Sequence, residues 1–262
     1  MSSEVLLLEA STGTPKRALK GHKAMVSSVA FAEGGKAIFS TSWDCTTRRW
    51  TARGADKNAP EMKHKAEVKI VTIDENSARG AAGARNGVVK IFTANSLRCL
   101  RNLQAHRNDI SGLAFVCEGS RLVTASWDGE CKLWDLSTFD PIRTISKQSE
   151  RIRSMAVAPD DSRLFLGLHN GTILSLDLEN PRDIVEFKGH TDVVTTLSLD
   201  ASGKRLASGS WDRTLRIWTV KSGKEQKKKN LLTGVSGVVW HPKSNQLLST
   251  DFSGTVLSWK LE

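Results

Sequence analysis

The stretch TSWDCTTRRW, residues 41–50, holds a Ser-Trp-Asp triplet and, six residues after its Asp, a second tryptophan. The triplet returns at 126–128 and 210–212, so Trp43, Trp127 and Trp211 are equally spaced along the chain. A wider comparison halves that interval. Short β-like runs end on Trp50, Phe92, Trp134, Leu176, Trp218 and Trp259, whose successive sequence numbers differ by 42, 42, 42, 42 and 41. A constant period of this length marks a repeat architecture, in which each unit hides its apolar face against the next.

Each unit carries a fixed internal frame. Twenty-eight residues before the closing residue stand His22, His64, His106, Gln148, His190 and Leu231. Ten before it stand Ser40, Ala82, Thr124, Leu166, Ser208 and Ser249, and six before it Asp44, Asn86, Asp128, Asn170, Asp212 and Ser253. Runs such as MVSSVAF, RLVTASW and TLRIWTV are short and rich in β-branched residues, with turn chemistry between them (EGGK, PDDS, DASGK). A fourth, more polar run (LRCLRNLQ, PIRTIS, DIVEFK) precedes the next unit. The pattern predicts one four-stranded antiparallel sheet per unit. Radial stacking of such sheets is the β-propeller solution.

These residues resemble the WD-repeat β-propeller family along nearly the whole chain. The resemblance rests on KGH at 20–22 and 188–190, SWDGECKLWDL at 126–136 and SGSWDRTLRIW at 208–218. It implies an all-β propeller of six repeat units, at about 21–60, 61–103, 104–145, 146–187, 188–229 and 230–262, forming a single domain over 1–262. Residues 1–20 are expected to supply closing strand(s), with PKRALK (15–20) completing the last sheet. Yet residues 4–9 also read as a third strand, followed by a turn and a fourth. Six blades, part of a seven-bladed ring, and a ring completed by a partner's strand all remain open.

Recurrent His, Ser/Thr and Asp invite a catalytic-triad reading. Three copies of one active site in one chain argue against it. The resemblance implies structural tetrads instead: His22/Ser40/Asp44/Trp50, His106/Thr124/Asp128/Trp134 and His190/Ser208/Asp212/Trp218. In each, the indole bonds the hydroxyl, the hydroxyl the imidazole, and the imidazole the carboxylate. The alternate units lack this set, and Phe92 and Leu176 are expected to hold theirs by apolar packing. No catalytic residue, metal site or cofactor is expected.

The residue before the tetrad Asp is expected at the rim of the narrow face. It reads Trp43, Arg85, Trp127, His169, Trp211 and Phe252. With the residues just after the His position (Lys23, Lys65, Arg107 and Arg151, then Met25, Glu67, Asp109, Thr191, Val193 and Leu232) it forms the implied partner surface. Aromatics and Arg dominate interface energetics, and indole faces take cations or stack on bases. The same tryptophans could instead only cover neighbouring loops.

The balance of 38 basic and 28 acidic residues gives +10, which favours acidic partners or RNA but serves solubility equally. A second basic group, Lys221, Lys224, Lys227, Lys228 and Lys229, lies on an expected outer strand where lysine also guards a sheet edge. Lys16, Arg17, Lys20 and Lys23 form another. Four scattered cysteines without a CxxC pair fit a reducing, intracellular compartment, cytoplasmic or nuclear. The amino-terminal MSSEVLLLEA lacks the features of a secretory signal, and no apolar run is long enough to span a membrane. The sequence thus points to a non-catalytic adaptor assembling a multiprotein complex, with a ribonucleoprotein- or ribosome-associated RNA binder as the alternative.

Overall fold

The computed structural model describes residues 3–9, 12–53, 59–74, 76, 78–241 and 245–260. The architecture is all-β with the sheet-by-sheet repeat of a β-propeller, and the short 3-10 turn Glu33–Gly35 is its one helical element among the described residues. No helix is long and apolar enough to cross a membrane. The chain divides into two compact units, residues 1–144 and 145–262.

The first unit opens with a hairpin of Val5–Leu8 and Pro15–Leu19. Within 4–9 and 15–20, Val5–Leu8 and Pro15–Leu19 thus pair with each other, as a third strand, turn and fourth strand would. Three antiparallel sheets follow. The first is Val26–Ala32, Ala37–Ser42, Thr46–Thr51 and Glu61–Lys63; the second is Val68–Asp74, Arg79–Ala84, Val88–Thr93 and Cys99–Gln104. The third is Ile110–Val116, Arg121–Ser126, Glu130–Asp135 and Pro141–Lys147, its last strand running across the unit boundary.

The second unit repeats the plan. Its sheets are Ile152–Val157, Arg163–Leu168, Ile173–Asp177 and Ile184–Phe187, then Val194–Leu199, Arg205–Ser210, Thr214–Thr219 and Glu225–Asn230. The last has three strands, Val235–Trp240, Gln246–Asp251 and Val256–Lys260.

Burial explains the strand chemistry. Second strands of the first five repeats are buried almost throughout, and fourth strands are largely exposed. Within the first unit, Phe39 of the first sheet joins Val68, Val71 and Phe92 of the second in one core; Ile91 and Leu103 of the second meet Leu122 and Trp134 of the third. In the second unit Phe165 and Phe187 pack with Val194 and Trp218. Close approach between sheets requires small residues in the second strand. A Cβ on Gly209 would lie 2.3 Å from Cγ1 of Val235 on the next sheet.

One irregularity repeats in every sheet. The register of the first strand shifts between Val26 and Ser28, Val68 and Ile70, Ile110 and Gly112, Ile152 and Ser154, Val194 and Thr196, and Val235 and Gly237. The residues bulged out of register are therefore Ser27, Lys69, Ser111, Arg153, Thr195 and Ser236. A bulge bends its strand and re-aims the extra side chain.

Candidate interaction rim

The site is built from the triplet upward. Ser42, Ser126 and Ser210 end the second strands. Each hydroxyl donates to a carbonyl of the loop entering its sheet, that of Ala24, Asn108 or Asp192, at 3.1, 3.2 and 2.9 Å. Each also accepts the backbone N–H of the Asp two residues on. That turn aims the Asp at the His.

His22 Nδ1 lies 2.8 Å from Asp44, His22 Nε2 2.7 Å from Ser40 Oγ, and Trp50 Nε1 donates to the same hydroxyl at 2.8 Å. The fifth repeat gives 2.8, 2.7 and 2.8 Å for His190, Asp212, Ser208 and Trp218. In the third repeat, His106 is 3.1 Å from Asp128 and 2.7 Å from Thr124, which accepts from Trp134 at 3.0 Å. The chain of bonds suits a neutral imidazole in which Nδ1–H donates to the carboxylate and Nε2 accepts the hydroxyl proton.

Burial supports that protonation state by pushing the His22 and His106 pKa values down, against the pull of Asp44 and Asp128. Burial also disfavours the Asp44 anion. The Thr46 hydroxyl, the Lys23 N–H and His22 outweigh it and hold the carboxyl at about 2. Thr46 and Thr214, whose hydroxyls donate to Asp44 and Asp212 at 2.6 and 2.7 Å, extend the network in two repeats. The motif glycine has a local cause too. A Cβ on Gly189 would stand 2.5 Å from the Arg216 guanidinium and 3.0 Å from the Trp218 ring.

The alternate repeats are organised differently. His64 Nε2 shares a 2.8 Å hydrogen bond with Thr47 of the neighbouring sheet, and burial lowers its pKa to about 4. Phe92 and Leu176 sit in the core. Trp259 retains a hydroxyl partner, Ser249, at 2.9 Å.

The residue before the Asp position is held alike in all six repeats. Backbone N–H groups of Trp43, Arg85, Trp127, His169, Trp211 and Phe252 donate to the carbonyls of Met25, Glu67, Asp109, Arg151, Val193 and Gly234, at 2.9 to 3.1 Å. The side chains meet different surroundings. In the first unit Trp43 and Trp127 are half-buried, and Lys69 Nζ stands 5.2 Å from one ring and 5.5 Å from the other. The Arg85 guanidinium covers Trp43 at 5.8 Å and pairs with Glu67 at 3.3 Å and Asp109 at 3.5 Å. In the second unit Arg153 lies 5.7 Å from Trp211, whose ring edges meet His169 at 6.5 Å and Phe252 at 6.4 Å. Trp211, Phe252 and Leu232 remain 43%, 62% and 93% exposed.

Lys69 and Arg153 were invisible to the frame of His, Ser, Asp and Trp. Both are bulged residues, both fall five positions after a unit's His site, and they stand two repeat periods apart. That spacing is the signal that could have found them. Lys23, Lys65, Arg107, Arg151 and Thr191 are exposed and Met25 and Glu67 half-buried, whereas Val193 and Asp109 are buried and offer no contact surface.

The basic groups lie apart from the tryptophans in sequence and element. The strand Glu225–Asn230, carrying Lys227, Lys228 and Lys229, is exposed at all six positions; Lys221 and Lys224 sit in the exposed turn before it. Those three lysines and Trp259 line a surface recess. Lys16 and Lys20 pair with Glu9 and Glu4, and Arg17 donates to the Thr51 carbonyl at 3.1 Å. The His241 N–H donates to the Gln246 carbonyl at 2.8 Å.

Comparison with known proteins falls on the same repeats. The family model for the WD domain, G-beta repeat matches residues 13–51, 97–135 and 182–219, the three stretches that end just past a tetrad tryptophan. The guanine nucleotide-binding protein subunit beta of Oryza sativa subsp. japonica is 29% identical over 229 residues, covering 77% of this chain and 58% of that protein. The subunit of the same name from Zea mays is 28% identical with the same coverage. A periodic tryptophan protein 2 homolog of Caenorhabditis elegans is 29% identical over 166 residues, 61% of this chain and 18% of that protein. The chain thus spans 58% of the length of the beta subunits it matches.

Proposed function

We propose, from the premise that this chain is a WD-repeat protein, that it is a non-catalytic scaffold assembling a multiprotein complex through its rim residues. One observation carries the reading: a single backbone geometry, repeated six times, presents Trp43, Arg85, Trp127, His169, Trp211 and Phe252. These are the residue types that anchor interfaces. Separate side chains held rigidly in series suit multivalent docking, where each added contact raises avidity. The relatives' name makes each a subunit of a larger protein; only the role of subunit is carried over here.

A non-enzymatic role is supported by the state of the hydroxyls. Ser40, Thr124 and Ser208 have no exposed surface, and each is already bonded to an indole and an imidazole. A nucleophile without access to substrate does no chemistry. The four scattered cysteines, without a CxxC pair, support an intracellular setting.

The second reading, a ribonucleoprotein-associated RNA binder, is favoured by the exposed lysine strand Glu225–Asn230. Purification from the source with and without nuclease separates the two. Association that survives nuclease supports the scaffold; association that disappears supports RNA, with a steep loss on added salt.

A further inference from the structure

We infer that the rim of the first unit accepts an acidic peptide segment, its carboxylates bound by Arg85 beside the Trp43–Lys69–Trp127 stack. The inference rests on the scaffold reading and names the chemistry of one partner.

The bulge decides which side chain reaches the rim. Ser27 and Thr195, at the equivalent position, turn their hydroxyls to carbonyls of the next sheet, Val68 and Val235. Lysine at that position instead places its ammonium between two indoles, one from the sheet before and one from the sheet after. Two cation–π contacts on one ammonium, with Arg85 over Trp43 of the preceding repeat, use the aromatic faces internally. A methylated lysine or an unpaired base would have to displace a resident cation. The ready-made recognition element is therefore positive charge, not an empty aromatic face.

Within the site two cations, Lys69 and Arg85, face two carboxylates, Glu67 and Asp109, and the surplus of positive charge comes from the exposed Lys23, Lys65 and Arg107 of the same three repeats. Asp109 is buried and serves both cations, at 3.9 Å from Lys69 and 3.5 Å from Arg85, with no hydrogen bond to its Oδ2. Glu67 holds one Arg85 nitrogen at 3.3 Å. The carboxylates of Asp44 and Asp128 are consumed by imidazole and backbone N–H groups. The Arg85 side chain is still 43% exposed, a planar fork suited to a carboxylate. The indole N–H of Trp43 has no acceptor among the described residues. Lys23, Lys65 and Arg107, all exposed, follow the His positions of the same three repeats. Such charge steers an acidic chain and orders its encounter.

Fluorescence anisotropy on the full chain tests this with four labelled probes: an alternating Glu-Ser peptide, its Lys-Ser counterpart, a trimethyl-lysine peptide and a single-stranded oligonucleotide. The Glu-Ser peptide is expected to bind best and to weaken with salt. Arg85→Gln and Lys69→Gln are each expected to cost about tenfold in affinity, with circular dichroism checking that both variants remain folded. A triple change of Lys227, Lys228 and Lys229 to Gln is expected to leave peptide binding intact. The inference is overturned if that triple variant loses the peptide while Arg85→Gln keeps it. It is equally overturned if the trimethyl-lysine peptide or the oligonucleotide binds more tightly at an Arg85-dependent site. Failure of this kind, with partner capture still dependent on Trp127 and Trp211, removes the acidic ligand and leaves the scaffold standing.

Discussion

The first, third and fifth repeats and the second and fourth do different work. The odd repeats carry the buried network and a rim tryptophan. The second and fourth have lost the network, yet each places a bulged cation, Lys69 or Arg153, against a tryptophan that an odd repeat supplies. Ser27 and Thr195 at the bulge tie their sheets to the next; in the fourth sheet, where Arg153 is bulged, the adjacent Ser154 makes that bond, to the Val194 carbonyl at 2.9 Å. The two units extend the contrast. In the first, Lys69 serves two rings and Arg85 covers one of them; in the second, Trp211 keeps its exposure beside Phe252. The first rim is dominated by charge and the second by apolar surface.

Deleting one hydroxyl of each kind puts the difference between the repeats to its most severe test. Ser208→Ala strands two buried groups, the Trp218 N–H and His190 Nε2, and is expected to cost about 2–4 kcal/mol. Ser249→Ala strands only the half-buried Trp259 indole and is expected to cost about 1 kcal/mol. Equal losses in denaturant titrations would mean that the complete network adds nothing.

Acid titration sharpens it further. A histidine whose folded pKa is depressed is protonated more readily in the unfolded chain, so stability rises with pH across its window. For His64 that window runs from about 4 to the ordinary value of 6.5. His64→Gln is expected to flatten the pH dependence of the melting temperature there and to leave it unchanged above neutrality. Asp44 works lower. Its stabilisation is present above 3.8 and lost as the pH falls through about 2, so Asp44→Asn is expected to alter only that acid limb beyond its uniform cost. Smallest of all, backbone amides of the second and fourth sheets are expected to exchange faster with deuterium than those of the first and fifth. Uniform protection would erase the distinction.

Period, strand order and core positions were legible because burial recurs once per repeat unit and leaves the same residue types at the same sites. The rim was legible only as a position. Whether an indole is open or covered depends on the side chain that a neighbouring sheet delivers, and Lys69 reads in sequence as one more surface lysine. Its bulge is a feature of strand pairing, which the residues VKIVT do not announce. Residues 4–9 read as a third strand followed by a turn and a fourth, and the hairpin of Val5–Leu8 with Pro15–Leu19 has that form.

The separation of buried network from rim surface is tested most directly by the double change Trp127→Ala, Trp211→Ala. Neither indole belongs to a tetrad. The expected result is loss of partner capture from the source extract, with bound proteins identified against the unaltered chain, at a melting temperature close to the original. Undiminished capture by a folded variant would contradict the account.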